Sequence, residues 1–241
     1  MATIRIGTSG WHYDHWVGPF YPEGTAADAF LRHYAQRFDT VEINASFYSL
    51  PDETTLAAWR DGVPDGFTFA AKASRYLTHM KKLNDPSEPL ERFLARMRTM
   101  GPKLGPVLFQ LPPNWGFDPD RLASFLDLLP SDLTAVFEFR DESWFDDRAY
   151  ELLRAHGATF CIYDLAGRTS PKVVTSDVAY VRLHGPGDAY RGSYDARTLS
   201  GWAGAFSTWA SHGTDVYCYF DNDEAGYAPK NALKLAEMLG V

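Results

Sequence analysis

Eight short stretches of the chain are rich in β-branched and aromatic residues and mostly alternate apolar with polar positions. They are Ile4–Gly7, Thr40–Asn44, Phe67–Lys72, Val107–Leu111, Ala135–Arg140, Thr159–Asp164, Ala179–His184 and Val216–Asn222. This pattern predicts strands. Between most of them the spacing becomes helical. Phe30, Tyr34 and Phe38 stand four apart. Leu90, Phe93, Leu94 and Met97 form one stripe, and Leu122, Phe125, Leu126 and Leu129 another. Leu199, Trp202, Phe206 and Trp209 make a third, and Leu235, Met238 and Leu239 close the chain. Each stripe predicts a helix with one buried face. Asp118-Pro119 reads as an N-cap and first helical residue, and Gly157 and Gly213 as helix stops. Only Leu165–Pro171, between the sixth and seventh strands, lacks a stripe, which predicts a loop or a single short turn there.

Strands alternating with helices imply a parallel sheet. Eight such units in 241 residues predict an α/β fold, a single-domain TIM (β/α)8 barrel over residues 1–241 with a reduced or missing helix in the sixth crossover. No linker or internal repeat divides the chain. A doubly wound open sheet is the competing architecture.

Strand side chains alternate faces, and in a barrel one face meets the helices while the other fills the interior. Placing Val41, Ile43, Phe69, Ala71, Phe109, Leu111, Phe137, Phe139, Val181 and Leu183 toward the helices turns Glu42, Asn44, Lys72, Gln110, Glu138, Arg140, Arg182 and His184 inward. On the first strand Arg5, Gly7 and Ser9 face in. These polar residues gather at the C-terminal halves of the strands, the end at which barrel active sites form. Buried charges must pair or meet solvent or a ligand. The set is therefore either a self-satisfied ionic plug or a binding pocket.

Composition narrows the function classes. The chain is 45% hydrophobic and 22% charged, with a net charge of −8. That balance argues against a general coat for nucleic acid or anionic membrane, although a local basic pocket fits within it. No apolar run approaches the roughly 20 residues of a membrane span. Met1–Ile4 leads straight into a strand without the features of a secretory leader, which predicts a soluble, cytoplasmic protein. Cys161 and Cys218 have no metal-finger spacing and read as buried free thiols.

Lys72, Arg140 and Arg182 converge from three strands and suit a carboxylate or phosphate. The glycines of His184–Gly192 would let backbone N–H groups approach an anion. Glu42 and Glu138 are the acid/base candidates, with His184 as a third catalytic candidate. No cofactor is expected. If a divalent metal were present, Glu42, Glu138, Asp164 and His184, with Asp221 nearby, would hold it, against repulsion from three cations. Aromatic residues crowd the loops. Most would pack over the mouth, with Trp11 and Tyr48 as the preferred ligand contacts. His79, beside Lys81 and Lys82, could meet a phosphate.

The strings IGTSGWHYDHWVGPFYP (6–22), TVEINASFYSLP (40–51), FAAKASRYLTHMKKL (69–83), KLGPVLFQLPP (103–113), FEFRDESW (137–144), YVRLHG (180–185) and YFDND (219–223) resemble, in order and nearly end to end, the domain-of-unknown-function 72 family, also called YecE-like. The resemblance implies a TIM barrel but no particular reaction. It marks Glu42, Asn44, Lys72, His79, Gln110, Glu138, Arg140, Arg182, His184 and Asn222 as functional positions. Asp141 and Asp221 depart from the family's usual His and Asn, so the resemblance assigns them no role.

The resulting expectation is an enzyme, of hydrolase, lyase or isomerase type, acting on a small phosphorylated or otherwise anionic substrate. In it Glu42 and Glu138 move protons, and Lys72, Arg140 and Arg182 bind charge. The alternatives are a metal-dependent phosphodiesterase acting on nucleic acid and a non-catalytic anion or nucleotide binder. Expected partners are a small anionic ligand and at most a short or single-stranded nucleic-acid segment, with no membrane. Oligomeric state is left open.

Overall fold

The computed structural model describes residues 2–241; Met1, where the sequence was read for a leader, lies outside them. Eight parallel strands form the barrel: β1 (Ile4–Thr8), β2 (Thr40–Ile43), β3 (Thr68–Lys72), β4 (Leu104–Gln110), β5 (Ala135–Glu138), β6 (Thr159–Leu165), β8 (Val178–Leu183) and β9 (Asp215–Phe220). A two-residue strand, β7 (Arg168–Thr169), folds back antiparallel on β6. The pairing order is β1-β9-β8-β6-β5-β4-β3-β2. The ends of this path meet where Ser9 bridges Glu42 and Gly10 N–H donates to the Glu42 carbonyl at 2.9 Å.

The crossover helices are α1 (Phe30–Tyr34), α2 (Ala45–Tyr48), α3 (Glu53–Asp61), α4 (Ser87–Met97), α5 (Pro119–Leu126), α6 (Asp147–Ala155) and α7 (Ala196–Ser211), and α8 (Tyr227–Leu239) follows the last strand. Local chemistry sets their starts. Asp52, Asp118, Asp146 and Asp195 each accept a hydrogen bond from a backbone N–H of the first turn, satisfying an otherwise orphaned donor. The predicted stripes are the buried faces: Leu90, Phe93, Leu94 and Met97 on α4, and Leu199, Trp202 and Phe206 on α7.

The sixth crossover has no helix. After β7 the chain runs back along β6, tied by Ser170 N–H to the Tyr163 carbonyl at 2.9 Å and by Phe160 N–H to Thr175 Oγ1 at 2.8 Å. Val173 and Val174 pack where a helix would have lain. Among the described residues no helix is long and apolar enough to cross a membrane.

Two apolar clusters hold the barrel. A large one fills the layer between strands and helices. A small one, Ala70, Leu108, Val136, Cys161, Tyr180 and Tyr219, fills the barrel interior. Cys161 and Cys218 are buried and free. The inward positions one step further along the strands are Lys72, Gln110, Glu138, Tyr163, Arg182 and Asp221, so the apolar interior forms a floor beneath a polar mouth.

Candidate functional site

Arg182 lies at the centre of that mouth. Its side chain is 1% exposed. Nε and Nη2 donate to Glu42 Oε1 at 3.2 and 2.7 Å, and Nη1 donates to Glu138 Oε2 at 2.9 Å. Nη2 also lies 3.4 Å from Asp221 Oδ2. All three guanidinium nitrogens are thus occupied, and Arg182 is a structural counter-charge rather than a free anion ligand.

Glu42 is equally committed. Besides Arg182, Ser9 Oγ donates to Oε1 at 2.7 Å and Tyr180 OH to Oε2 at 2.6 Å. Its fully buried carboxylate pins β1, β2 and β8 together. Glu138, also fully buried, accepts from Arg140 Nε on one oxygen and from Arg182 on the other. Burial alone would raise the Glu138 pKa. Arg140 and then Arg182, with Lys72 further off, outweigh it and hold the group ionised, well below the usual carboxylate range. A carboxylate so stabilised is a weak proton acceptor. The expectation that Glu138 carries protons therefore draws no support from this geometry, and both oxygens of Glu42 are taken up by Ser9, Tyr180 and Arg182.

The partners of His184 specify its tautomer. Asp221 Oδ2 lies 3.0 Å from Nδ1, so Nδ1–H donates to a carboxylate. Arg140 Nη2 and Arg182 Nη1 lie 3.0 and 3.3 Å from Nε2, so that nitrogen accepts. Burial, and then Arg182, push the His184 pKa down to about 4 over the opposing pull of Asp221. The ring is neutral with both nitrogens occupied, which disfavours a catalytic role. Tyr190, held at φ 65°, covers it edge-on at 5.4 Å.

Two cations remain available. The Arg140 guanidinium uses Nε and Nη2 in the network, sits 4.9 Å over the Tyr163 ring, and lines a cleft of about 190 Å³ with Phe145, Tyr163 and Arg168. Lys72, half-buried at the end of β3, takes part in none of the ion pairs of the mouth. Its Nζ rests 4.4 Å from the centre of the Phe47 ring. Burial, and then Arg182, lower its pKa to about 8, past the opposing Glu138, Glu42 and Asp221. His79 meets the Phe47 ring edge-on at 5.0 Å. It is presented by a π-helical turn, Tyr76–Met80, closed by Lys81 N–H on the Tyr76 carbonyl at 2.9 Å. Burial, and then Lys72, lower the His79 pKa to about 4. Gln110 ends β4 beside Glu138 and is half-buried.

Other expected residues lie elsewhere. Asp164 faces away from the interior: on β6 it is Cys161 that lies inside the barrel and Tyr163 that meets Arg140. The conditional metal set of Glu42, Glu138, Asp164 and His184 is therefore split across the sheet, with Arg182 between its two glutamates. Among the described residues no three His, Cys, Asp or Glu side chains gather as metal ligands. Asn222 is a loop anchor, its Nδ2 donating to the Gly192 carbonyl and to Asn231 Oδ1, each at 2.8 Å. Trp11 packs edge-on against Trp59 at 4.9 Å and is 6% exposed. Asn44 immediately precedes α2 without a side-chain capping hydrogen bond and lines a cleft of about 360 Å³ with Trp11 and Trp59. Tyr48 stands free at the rim, 80% exposed. The glycine loop is shaped by its own turn: at Gly185, φ 121°, a Cβ would lie 2.4 Å from the Arg191 carbonyl oxygen.

Sequence reasoning missed Tyr180 and Tyr163 as members of the network, and grouped Asp221 with its glutamates and His184 only as a conditional metal ligand. For Tyr180 a signal was present, since it shares strand parity with Arg182 and His184.

Comparisons with known proteins bear on the family and the fold. The family described as "Protein of unknown function DUF72" matches residues 5–241. The UPF0759 protein YunF of Bacillus subtilis (strain 168) is 26% identical over 271 residues, covering 99% of this chain and 95% of its own length. The UPF0759 protein YecE of Escherichia coli (strain K12) is 30% identical over 145 residues, 59% of this chain and 50% of that protein. The crystal structure of a DUF72 family protein from Thermotoga maritima MSB8 superposes with a TM-score of 0.91 at 28% identity, covering 99% of this chain and 100% of that one. One from Enterococcus faecalis V583, at 19% identity and a TM-score of 0.86 over 99% of this chain and 96% of that one, shares the fold. With the family model matching residues 5–241 and the barrel superposing on a DUF72 structure nearly end to end, the chain belongs to the DUF72 family.

Proposed function

We propose that this protein is an enzyme that binds a small anionic substrate over the C-terminal mouth of the barrel, with Lys72 and Arg140 as the charge-binding pair. The observation that carries the reading is the asymmetry among the cations. Arg182 is spent within the network, whereas Lys72 has no carboxylate partner and Arg140 keeps one guanidinium nitrogen for a ligand. Two cations at the end of a barrel where substrates bind suit a carboxylate or phosphate. Proton exchange near neutrality falls to Lys72, whose lowered pKa lies close to the working range of a general acid or base. Glu42, Glu138, Arg182 and Asp221 hold the frame. Two buried free thiols suit the reducing cytoplasm.

The test is inorganic phosphate, titrated calorimetrically into wild-type protein and Lys72→Met, and soaked into crystals. The expected result is a phosphate within hydrogen-bond reach of Lys72 Nζ or Arg140 Nη1 and binding weakened about tenfold in the variant, as fits the loss of one charge-assisted hydrogen bond. Phosphate absent from the mouth at saturation, or binding unchanged in the variant, refutes the reading.

A further inference from the structure

Among the cationic groups facing the mouth, Lys72 alone can lose its charge near neutral pH, because an arginine stays protonated. Lys72 ends β3 on the C-terminal side of the barrel, its nitrogen over the Phe47 ring and in no ion pair with a carboxylate. Burial and a neighbouring guanidinium, the two factors that turn a lysine into a nucleophile, both act on it. His79 meets the same Phe47 ring, with Nδ1 2.9 Å from Thr78 Oγ1 and its other ring nitrogen left for proton transfer.

We propose that Lys72 is a nucleophilic amine that forms an imine with an aldehyde or ketone carrying a carboxylate or phosphate group. The inference rests on the anion-binding mouth, with Arg140 holding the anionic group while the carbonyl carbon meets Nζ. The neutral amine adds its lone pair to that carbon: the C–N bond forms, the C=O π bond breaks, and a proton passes from nitrogen to oxygen. Loss of water then breaks the C–O bond as nitrogen forms C=N. His79 is placed to relay the protons. The ionised Glu138 favours the positive iminium. No oxidant or metal enters the step.

The experiment uses the full chain at pH 7 with sodium cyanoborohydride, which delivers hydride to an iminium carbon and fixes it as a secondary amine. Glyoxylate is the anionic probe and glycolaldehyde its neutral counterpart, with peptide mapping as the readout. An amine titrating near 8 holds on the order of a hundredfold more free base at pH 7 than an ordinary lysine. Allowing for its lower intrinsic nucleophilicity, Lys72 should be carboxymethylated about tenfold faster than the exposed Lys82 and Lys230, and inorganic phosphate should suppress the reaction. Lys72→Arg should lose this fast adduct. Phosphate binding without preferred modification of Lys72 overturns the imine and leaves the anion reading standing. Preferred modification by glycolaldehyde as fast as by glyoxylate, with no protection by phosphate, overturns the anionic substrate class and the proposed function with it.

Discussion

Replacing Arg182 by Met tests whether the barrel mouth is held by ion pairing. Met keeps the unbranched apolar stem and removes the charge. Glu42, 0% exposed, would retain hydrogen bonds from Ser9 and Tyr180 but lose its counter-charge, and Glu138 would keep only Arg140. Removing one partner of a buried ionic pair typically costs about 3–5 kcal/mol, a large part of the ~5–15 kcal/mol that stabilises a domain. The pH dependence is diagnostic. In the wild type the folded-state pKa of Glu138 is depressed, so its contribution is complete above the ordinary value of 4.5 and lost as pH falls through the folded value. Without Arg182 the balance tilts toward burial, which favours protonated carboxyls. Acidification from pH 7 to 5 should then narrow the stability gap between variant and wild type. Urea denaturation followed by tryptophan fluorescence at both pH values measures it. Arg182→Met/Glu42→Gln, which removes the stranded charge as well, should recover part of the loss. A cost under about 1 kcal/mol at pH 7, or a gap that widens in acid, would refute the argument.

Lys72→Met should stabilise the protein at pH 7. The folded-state pKa is lowered from 10.5 to about 8, so the native lysine is destabilising below 8, by on the order of 2–3 kcal/mol. That penalty fades as pH rises toward 10.5, and urea midpoints at pH 7 and 10 should show the advantage of the variant shrinking. Gly185→Ala should cost about 2 kcal/mol or more in thermal denaturation, from positive φ and contact with the Arg191 carbonyl. Gly187→Ala, where a Cβ meets nothing within 4 Å, should stay within about 0.5 kcal/mol. Labelled DNA duplexes of increasing length should bind weakly, with no length dependence, since a chain of net charge −8 offers few phosphate contacts. Tight binding with a steep salt slope would move the partner to nucleic acid.

The hydrophobic pattern by itself determined the barrel, the helix-free sixth crossover and the inward face at the mouth. Side-chain alternation is a local property of an extended backbone: once Phe137 and Phe139 face the helices, Glu138 and Arg140 must face in. Strand β6 shows where that reasoning stops. Phe160 and Ile162 alternate with Cys161 and Tyr163, both faces are apolar, and parity has nothing to choose by, so Asp164 was grouped with glutamates it does not meet. Partner choice among the inward charges was likewise beyond the sequence. Glu42 and Arg182 are 140 residues apart, and whether Arg182 or Lys72 neutralises Glu42 depends on how barrel closure staggers β2 against β8 and on how far each side chain reaches. Only the closed barrel brings the longer, forked guanidinium between both glutamates. Lys72 is left beside Phe47 with no carboxylate partner, because ion pairing is decided over a few ångströms that strand parity does not specify.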